Sequence, residues 1–287
     1  LKIILSRKGF DSEAGGYPSP HFLENGRLLS LPIPEDNENN SINTGRTYAD
    51  LRFDENLSYL DVMNRLGLKN FDNKYVHLDP DVNSSVLKDR HTDWRGLFGQ
   101  SSSAQAHLNN KGVVNGDLFL YFGWFRDVVA TAKGYKYISN TDRHIIWGYL
   151  QVDEAQSIRH DKDYELWKDN HPHYYYRNRD QNTGYIATKR LSFSPYIPGC
   201  GVFDYKDSLA LTCPGQKKQS VWKLPKYFHP TYGTTMSYHT KVNNKSNKPI
   251  WELYATHCIL NSVGRGQEFV IEGNNEIIEW AKQLFKE

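Results

Sequence analysis

The chain alternates dense apolar runs with long polar stretches rich in glycine and proline. Lys2–Ser6 (KIILS) reads as a first strand, since a short β-branched run without helical period suits an extended backbone. The RKGFDSEAGGYPSP that follows cannot be a helix or a central strand, because its glycines and prolines break both. Residues 26–34 (GRLLSLPIP) form a short apolar piece closed by proline, and residues 35–50 a polar surface loop. Leu57, Leu60, Met63 and Leu66 recur at three-residue steps. That spacing predicts a helix over Asp54–Leu66, capped by Asp54 or Asn56 and stopped by Gly67. Tyr75–Leu78 reads as a short strand, and Ser101–Leu108 as a helix capped by Ser101 or Ser102. Two near-continuous apolar runs, LFLYFGWF from Leu118 and HIIWGYLQV from His144, predict central strands covered on both faces. Short strands between Pro and Gly turns are expected from Tyr185 to Ser262. Ile277, Trp280, Ala281 and Leu284 stripe a closing helix over Asn275–Phe285.

The expected fold class is therefore α+β: a strand-rich mixed core with flanking helices. It is expected as a single compact domain over residues 1–287, with a subdivision into 1–110 and 111–287 as the alternative. Gly116-Asp117, an apolar strand, an irregular stretch and a second apolar strand with an internal Gly148 follow one another in the layout of small PUA-like β-barrels.

Composition narrows the function classes. The 287 residues include 38% hydrophobic and 24% charged positions, enough to bury a core. No apolar run approaches a membrane span, and no signal-peptide-like stretch follows the first strand. Three cysteines without a CxxC pair exclude a thiolate zinc knuckle and a disulfide scaffold, and point to a reducing, cytoplasmic setting. The formal net charge of +2 excludes a polycation, but the charge is uneven. Residues 1–81 hold 9 Lys/Arg against 13 Asp/Glu, residues 171–248 hold 12 against 3, and Lys217–Lys248 contains no acid. Such a basic stretch can attract a polyanion.

Several stretches can carry chemistry. Ser6–Ser12 leads a strand into a glycine-rich turn, whose backbone N–H groups and adjacent cations can hold an anion. Arg7, Lys8 and Ser12 are the expected phosphate-binding residues, joined by Arg265 between two glycines. Neither GxxxxGK[ST] nor GxGxxG occurs, so no ATP P-loop or dinucleotide cofactor site is expected. Asp11, Asp79, Glu268 and His107 are the acid/base candidates. His77, Asp79 and Asp81 alternate along an extended segment and can converge on a divalent metal. A two-histidine, one-carboxylate site there would draw its second imidazole from His91 or His107. The same residues suit a plain Asx turn, and a site without metal is the main expectation. Ser103 and His107 lie one turn apart, but no G-x-S-x-G elbow surrounds Ser103. Gln100, Gln105 and Gln267 can read a base edge, and Trp124 beside Gly123 can wall a flat pocket. Arg126, beyond an aromatic strand, needs an acid, a phosphate or solvent. His171–Arg179 mixes rings and cations in a way that suits base stacking, and Pro172 between its two histidines weakens them as a metal pair.

Taken in order, Ile3–Ser12, Gly15-Gly16, Pro18–Pro20, His77–Asp81, Gly96–Leu108, Gly116–Arg126, Trp147–Val152 and Gly264–Val270 resemble the nucleotide modification associated domain 3 proteins of bacteria and phages. The resemblance spans nearly the whole chain. It implies a link to modification of nucleotides or nucleic-acid bases, with no reaction and no catalytic residues to carry over. The expected function is thus a nucleotide- or base-modifying enzyme, its reaction open among group transfer, glycosidic-bond chemistry and hydrolysis. The alternatives are a non-catalytic module that cages a modified base, and an accessory protein of a DNA modification or defence system. The expected partners are a nucleotide or nucleic acid and other proteins of a base-modification system, with no membrane. Arg7, Asp11, Asp79, Gln100, His107, Arg126 and Arg265 are expected to line one cleft.

Overall fold

The computed structural model of the protein describes residues 1–35, 44–159, 165–175, 180–263 and 268–286. The first apolar run forms β1 (Ile3–Arg7), and β2 (Ser19–Phe22) follows the glycine-rich turn. Helix α1 (Tyr59–Arg65) starts later than the leucine spacing predicts. Ser58 is its N-cap, in a capping box in which the Ser58 side chain accepts from Asp61 N while the Asp61 carboxylate accepts from Ser58 N. Asp54 instead closes the turn before it, accepting from the N–H groups of Asn56 and Leu57. Tyr75–Leu78 forms no strand and makes only isolated bridges, Thr47 with Tyr75 and Pro34 with Val76.

Strand β3 (Leu97–Gln100) runs straight into helix α2 (Ser102–Asn110). The two long apolar runs become the two longest strands, β4 (Leu118–Thr131) and β6 (Arg143–Ser157), with β5 (Gly134–Tyr137) folded back on β4. The short strands expected after Tyr185 are β7 (Thr183–Ala187), β8 (Arg190–Leu191), β9 (Ser194–Pro198), β10 (Cys200–Val202), β11 (Val221–Pro225), β12 (Thr235–Met236), β13 (Trp251–Leu253) and β14 (His257–Asn261). β15 (Glu268–Glu272) and helix α3 (Asn275–Gln283) follow.

Ten strands form one mixed sheet along the path β12-β15-β1-β4-β6-β7-β3, with β10 also on β6 and with β2 and β5 on β4. β1 sits inside it, parallel to β4 and antiparallel to β15. One face carries Leu5, Phe122 and Phe269 and is covered by the three-stranded sheet β11-β14-β13, whose Trp222 meets Phe122 and Phe269 edge-on. The sheet curls over its other face. The ring of Phe98 on β3 touches Phe119 and Tyr121 on β4, and Gln100 on β3 reaches Glu268 on β15, with four strands between them along the path. Side chains alone bridge this gap. No sheet closes into a barrel among the described residues, and the sheet that carries the PUA-like layout is open along its path and curls until β3 meets β15 through side chains. A second apolar cluster, including Phe10, Tyr48, Val62, Met63 and Phe71, packs under α1. Among the described residues no helix is long and apolar enough to cross a membrane.

Candidate functional site

The interior of the curl is polar where a core is normally apolar. In register, Ser6 on β1 lies between Tyr121 on β4 and Glu268 on β15, so three polar side chains stand side by side on one face. All three are essentially inaccessible, at 0%, 0% and 1% exposure. Glu268 Oε1 accepts from Gln100 Nε2 at 2.7 Å and lies 3.4 Å from Lys8 Nζ. The Lys8 ammonium also rests 4.4 Å over the Phe98 ring. Glu268 Oε2, the Tyr121 hydroxyl and Ser6 Oγ make no hydrogen bond among the described residues. Native interiors pair most such atoms, so three side by side call for a reason. Burial pushes the Tyr121 phenol well above its usual range, and the nearby charges of Asp79 and Glu268 add to the shift.

A second group adjoins this one at the β3 strand. Asp79 Oδ1 accepts from Gly99 N at 2.8 Å and faces His171 Nε2 at 3.2 Å. Its other oxygen, Oδ2, faces His77 Nε2 at 3.8 Å and His173 Nε2 at 3.7 Å. Glu35 stands behind His77, with Oε1 3.6 Å from Nδ1. Burial pushes the Asp79 carboxyl up, but the hydrogen bond from His171, the contact with His77 and the charge of Lys8 outweigh it and hold the group well below the usual carboxylate range. Lys8 therefore links the two groups, touching Glu268 and acting on Asp79. Glycine at position 99 is required here, because a Cβ would fall 2.2 Å from Cγ of the His173 ring. One ligand atom each from His77, Asp79 and His173 lies within 4.8 Å of the others, and these are the residues that can hold a metal.

The structure brings together Lys8, Asp79, Gln100 and Glu268, with His77 alongside. His107 lies behind Glu268: its Nε2 is 3.0 Å from Ser237 Oγ, and burial, then Lys111, lowers its pKa. Gln105 is buried in a bond to the Tyr185 hydroxyl. Arg7 is separated from Lys8 because consecutive strand residues face opposite ways. It lies over the Phe122 ring and donates to Val263 O, on the face away from the polar interior. Asp11 and Ser12 stay in the turn, where Asp11 Oδ1 accepts from Glu13 N and Ala14 N and Ser12 is exposed. Arg126 and Trp124 share Asp142, with Arg126 Nε at 3.0 Å and Trp124 Nε1 at 2.5 Å. Arg265 and Gln267 lie outside the described residues, as do residues 176–179 of the ring-rich segment.

The metal-capable set differs from the expected one. Asp81 turns away into a buried pair with Arg90, whose Nη1 and Nη2 donate at 2.6 and 2.5 Å, and Trp94 Nε1 adds a third bond. His91 is exposed beside Asp93, so neither it nor His107 supplies the second imidazole. That comes from His173, which the HPH sequence displays but cannot assign, since its acid is Asp79, far back in the chain. Gly99, Tyr121, His171 and Asn182 were likewise not singled out for this site.

A cleft of about 1310 Å³ lies elsewhere and is lined by residues such as Arg143, Tyr205, Lys217, Lys223, His257 and Trp280. It contains none of the candidate residues. Size favours that cleft, but buried charge and unpaired polar atoms favour the curl, and chemistry needs the latter. A family model described as Nucleotide modification associated domain 3 matches residues 2–272. No curated protein and no solved structure matches the chain.

Proposed function

The chain belongs to the nucleotide modification associated domain 3 family, and from that membership and the geometry above we propose that it is an enzyme modifying a nucleotide or a nucleic-acid base, with its reactive centre inside the curled sheet. One observation carries the reading: a fully buried carboxylate, Glu268, has Oε1 engaged by Gln100 and Lys8 and Oε2 without a hydrogen bond among the described residues. A carboxylate held at one oxygen, with the other unengaged among the described residues, is placed to take or give a proton. Gln100 orients it, and the Lys8 ammonium lies 3.4 Å from the same oxygen. Asp79 plays a different part. Its depressed pKa keeps it ionised near neutral pH, so it serves as a fixed anion or ligand rather than a proton shuttle. The paired carboxylates favour an enzyme over a base-caging module, which needs shape and few charges.

The test incubates the protein with nucleotides and with DNA and RNA carrying modified bases, followed by digestion to nucleosides and mass spectrometry. The wild type is expected to yield a mass-shifted nucleoside. Glu268→Gln should lower turnover by about 10²–10⁴-fold while ligand affinity changes little. Full turnover in Glu268→Gln would overturn the assignment of the proton-handling group. No product with any substrate, together with an affinity loss in the variant, would establish a binding module instead.

A further inference from the structure

We propose that His77, Asp79 and His173 form a binding site for a divalent transition-metal ion, held by His77 Nε2, Asp79 Oδ2 and His173 Nε2. The hydrogen bonds around the three rings assign their protons. Asn182 Nδ2 donates to His173 O at 2.8 Å, and a carbonyl can only accept, so Asn182 Oδ1 is the atom 2.7 Å from His173 Nδ1. His173 therefore carries its proton on Nδ1 and turns the Nε2 lone pair toward Asp79 Oδ2. His171 is the opposite tautomer: its Nδ1 accepts from His173 N, so Nε2–H donates to Asp79 Oδ1. With Gly99 N–H on the same oxygen, Oδ1 has two donors, and Oδ2 is left facing two imidazole nitrogens.

A lone pair aimed at a carboxylate oxygen repels it, and a cation between them turns both into ligands. The spacing agrees. At 3.7 and 3.8 Å the contacts to Oδ2 are too long for hydrogen bonds. They are close to the roughly 3.4 Å that separates two ligands each about 2.1 Å from a tetrahedral ion. The outer contacts agree too. Metal-bound histidines usually donate their second N–H to a carboxylate or amide oxygen, as His173 does to Asn182, and Glu35 stands at His77 Nδ1. Among the described residues, three carboxyl groups (Glu35, Asp79 and Glu268) face this region against the ammonium of Lys8, a balance that a divalent cation corrects.

Two imidazoles and one carboxylate suit ions of the Zn²⁺, Fe²⁺ and Mn²⁺ class and leave coordination positions open. An ion so placed serves the proton chemistry proposed above by acidifying a bound water, and for that use alone the inference rests on that reading.

The experiment needs no nucleotide. Tag-free protein is stripped with a chelator and titrated with Co²⁺, whose visible bands report imidazole and carboxylate ligation, and bound metal is counted by mass spectrometry. One ion per chain with those bands is the expected result. Asp79→Asn and His173→Gln should abolish the bands. Asn182→Ala, which removes only the tautomer lock, should weaken binding by about 10–100-fold. A folded wild type that takes up no Co²⁺, or whose bands survive His173→Gln, overturns the proposal. Because the wild-type titration decides on its own, a variant that fails to fold does not rescue it. Metal binding without any modified nucleoside would leave this site standing and remove the substrate reading.

Discussion

Gly99→Ala tests the Asp79 centre with a single methyl group. The backbone at Gly99 lies outside the left-handed region, so alanine meets no conformational penalty, and any effect comes from space alone. The added Cβ would sit 2.2, 2.3 and 2.7 Å from Cγ, Cδ2 and Nδ1 of His173, whereas ordinary contact begins at 3.4 Å. The ring or strand β3 must therefore give way by roughly 1 Å, a shift that a close-packed interior resists. The ring cannot swing aside cheaply: it is 3% exposed and held by Asn182 at Nδ1. Overpacking of this kind costs about 1–3 kcal/mol, read as a lower urea midpoint. Moving the ring also moves Nε2 off Asp79 Oδ2, and moving β3 displaces the Gly99 N–H from Oδ1. Cobalt affinity should therefore fall by more than the stability loss alone explains, at least tenfold. Should Gly99→Ala match the wild type in both urea midpoint and cobalt spectrum, the packing of His173 on Gly99 would be wrong, and the metal geometry with it.

Lys8→Met should cost about 3–5 kcal/mol, because it leaves the buried Glu268 carboxylate without its ammonium; a change below about 1 kcal/mol in chemical denaturation would show that the pair carries little. Arg90→Ala should destabilise by a similar amount through Asp81, yet leave the Co²⁺ spectrum intact, since Asp81 takes no part in the His77–Asp79–His173 set; loss of the cobalt bands in a folded variant would tie the two aspartates together. Acid should unfold the protein through two buried imidazoles. Burial lowers His144 to about 3 and His239 to about 4, and each accepts a hydrogen bond at one ring nitrogen, from Trp222 Nε1 and Val263 N. Between pH 6.5 and 4 the unfolded chain binds protons there that the folded chain refuses. Stability is thus complete above the unfolded value and falls with acidification, by about 1.4 kcal/mol per pH unit for each site. Stability that stays flat across that range in urea titrations would contradict the neutral assignment.

Local pattern made the strands legible and left the site half hidden. Ile3–Arg7, Leu118–Thr131, Arg143–Ser157 and the closing helix follow from apolar runs that need no partner to be recognised. Lys8, Asp79, Gln100 and Glu268 were singled out because cations, acids and amides at strand ends need a reason. The separation of Arg7 from Lys8 was also available in principle, from the two-residue period of a strand. The pairing of Asp79 with His173 was not, because it depends on how far a ten-stranded sheet curls, which no window of sequence records. Asp81 misled for a related reason: alternation put it level with Asp79, but Arg90 offered a bidentate partner and took it away.

The strand order has a consequence for how the protein is made. β15 comes after the other described strands in chain order, yet it lies between β12 and β1 and delivers Glu268 beside Ser6. Until it emerges from the ribosome, β1 offers an open edge and the polar interior lacks its buried acid. Fragments ending before Glu268 lack the acid proposed for the chemistry and leave that edge unpaired, so they are expected to be both inert and sticky.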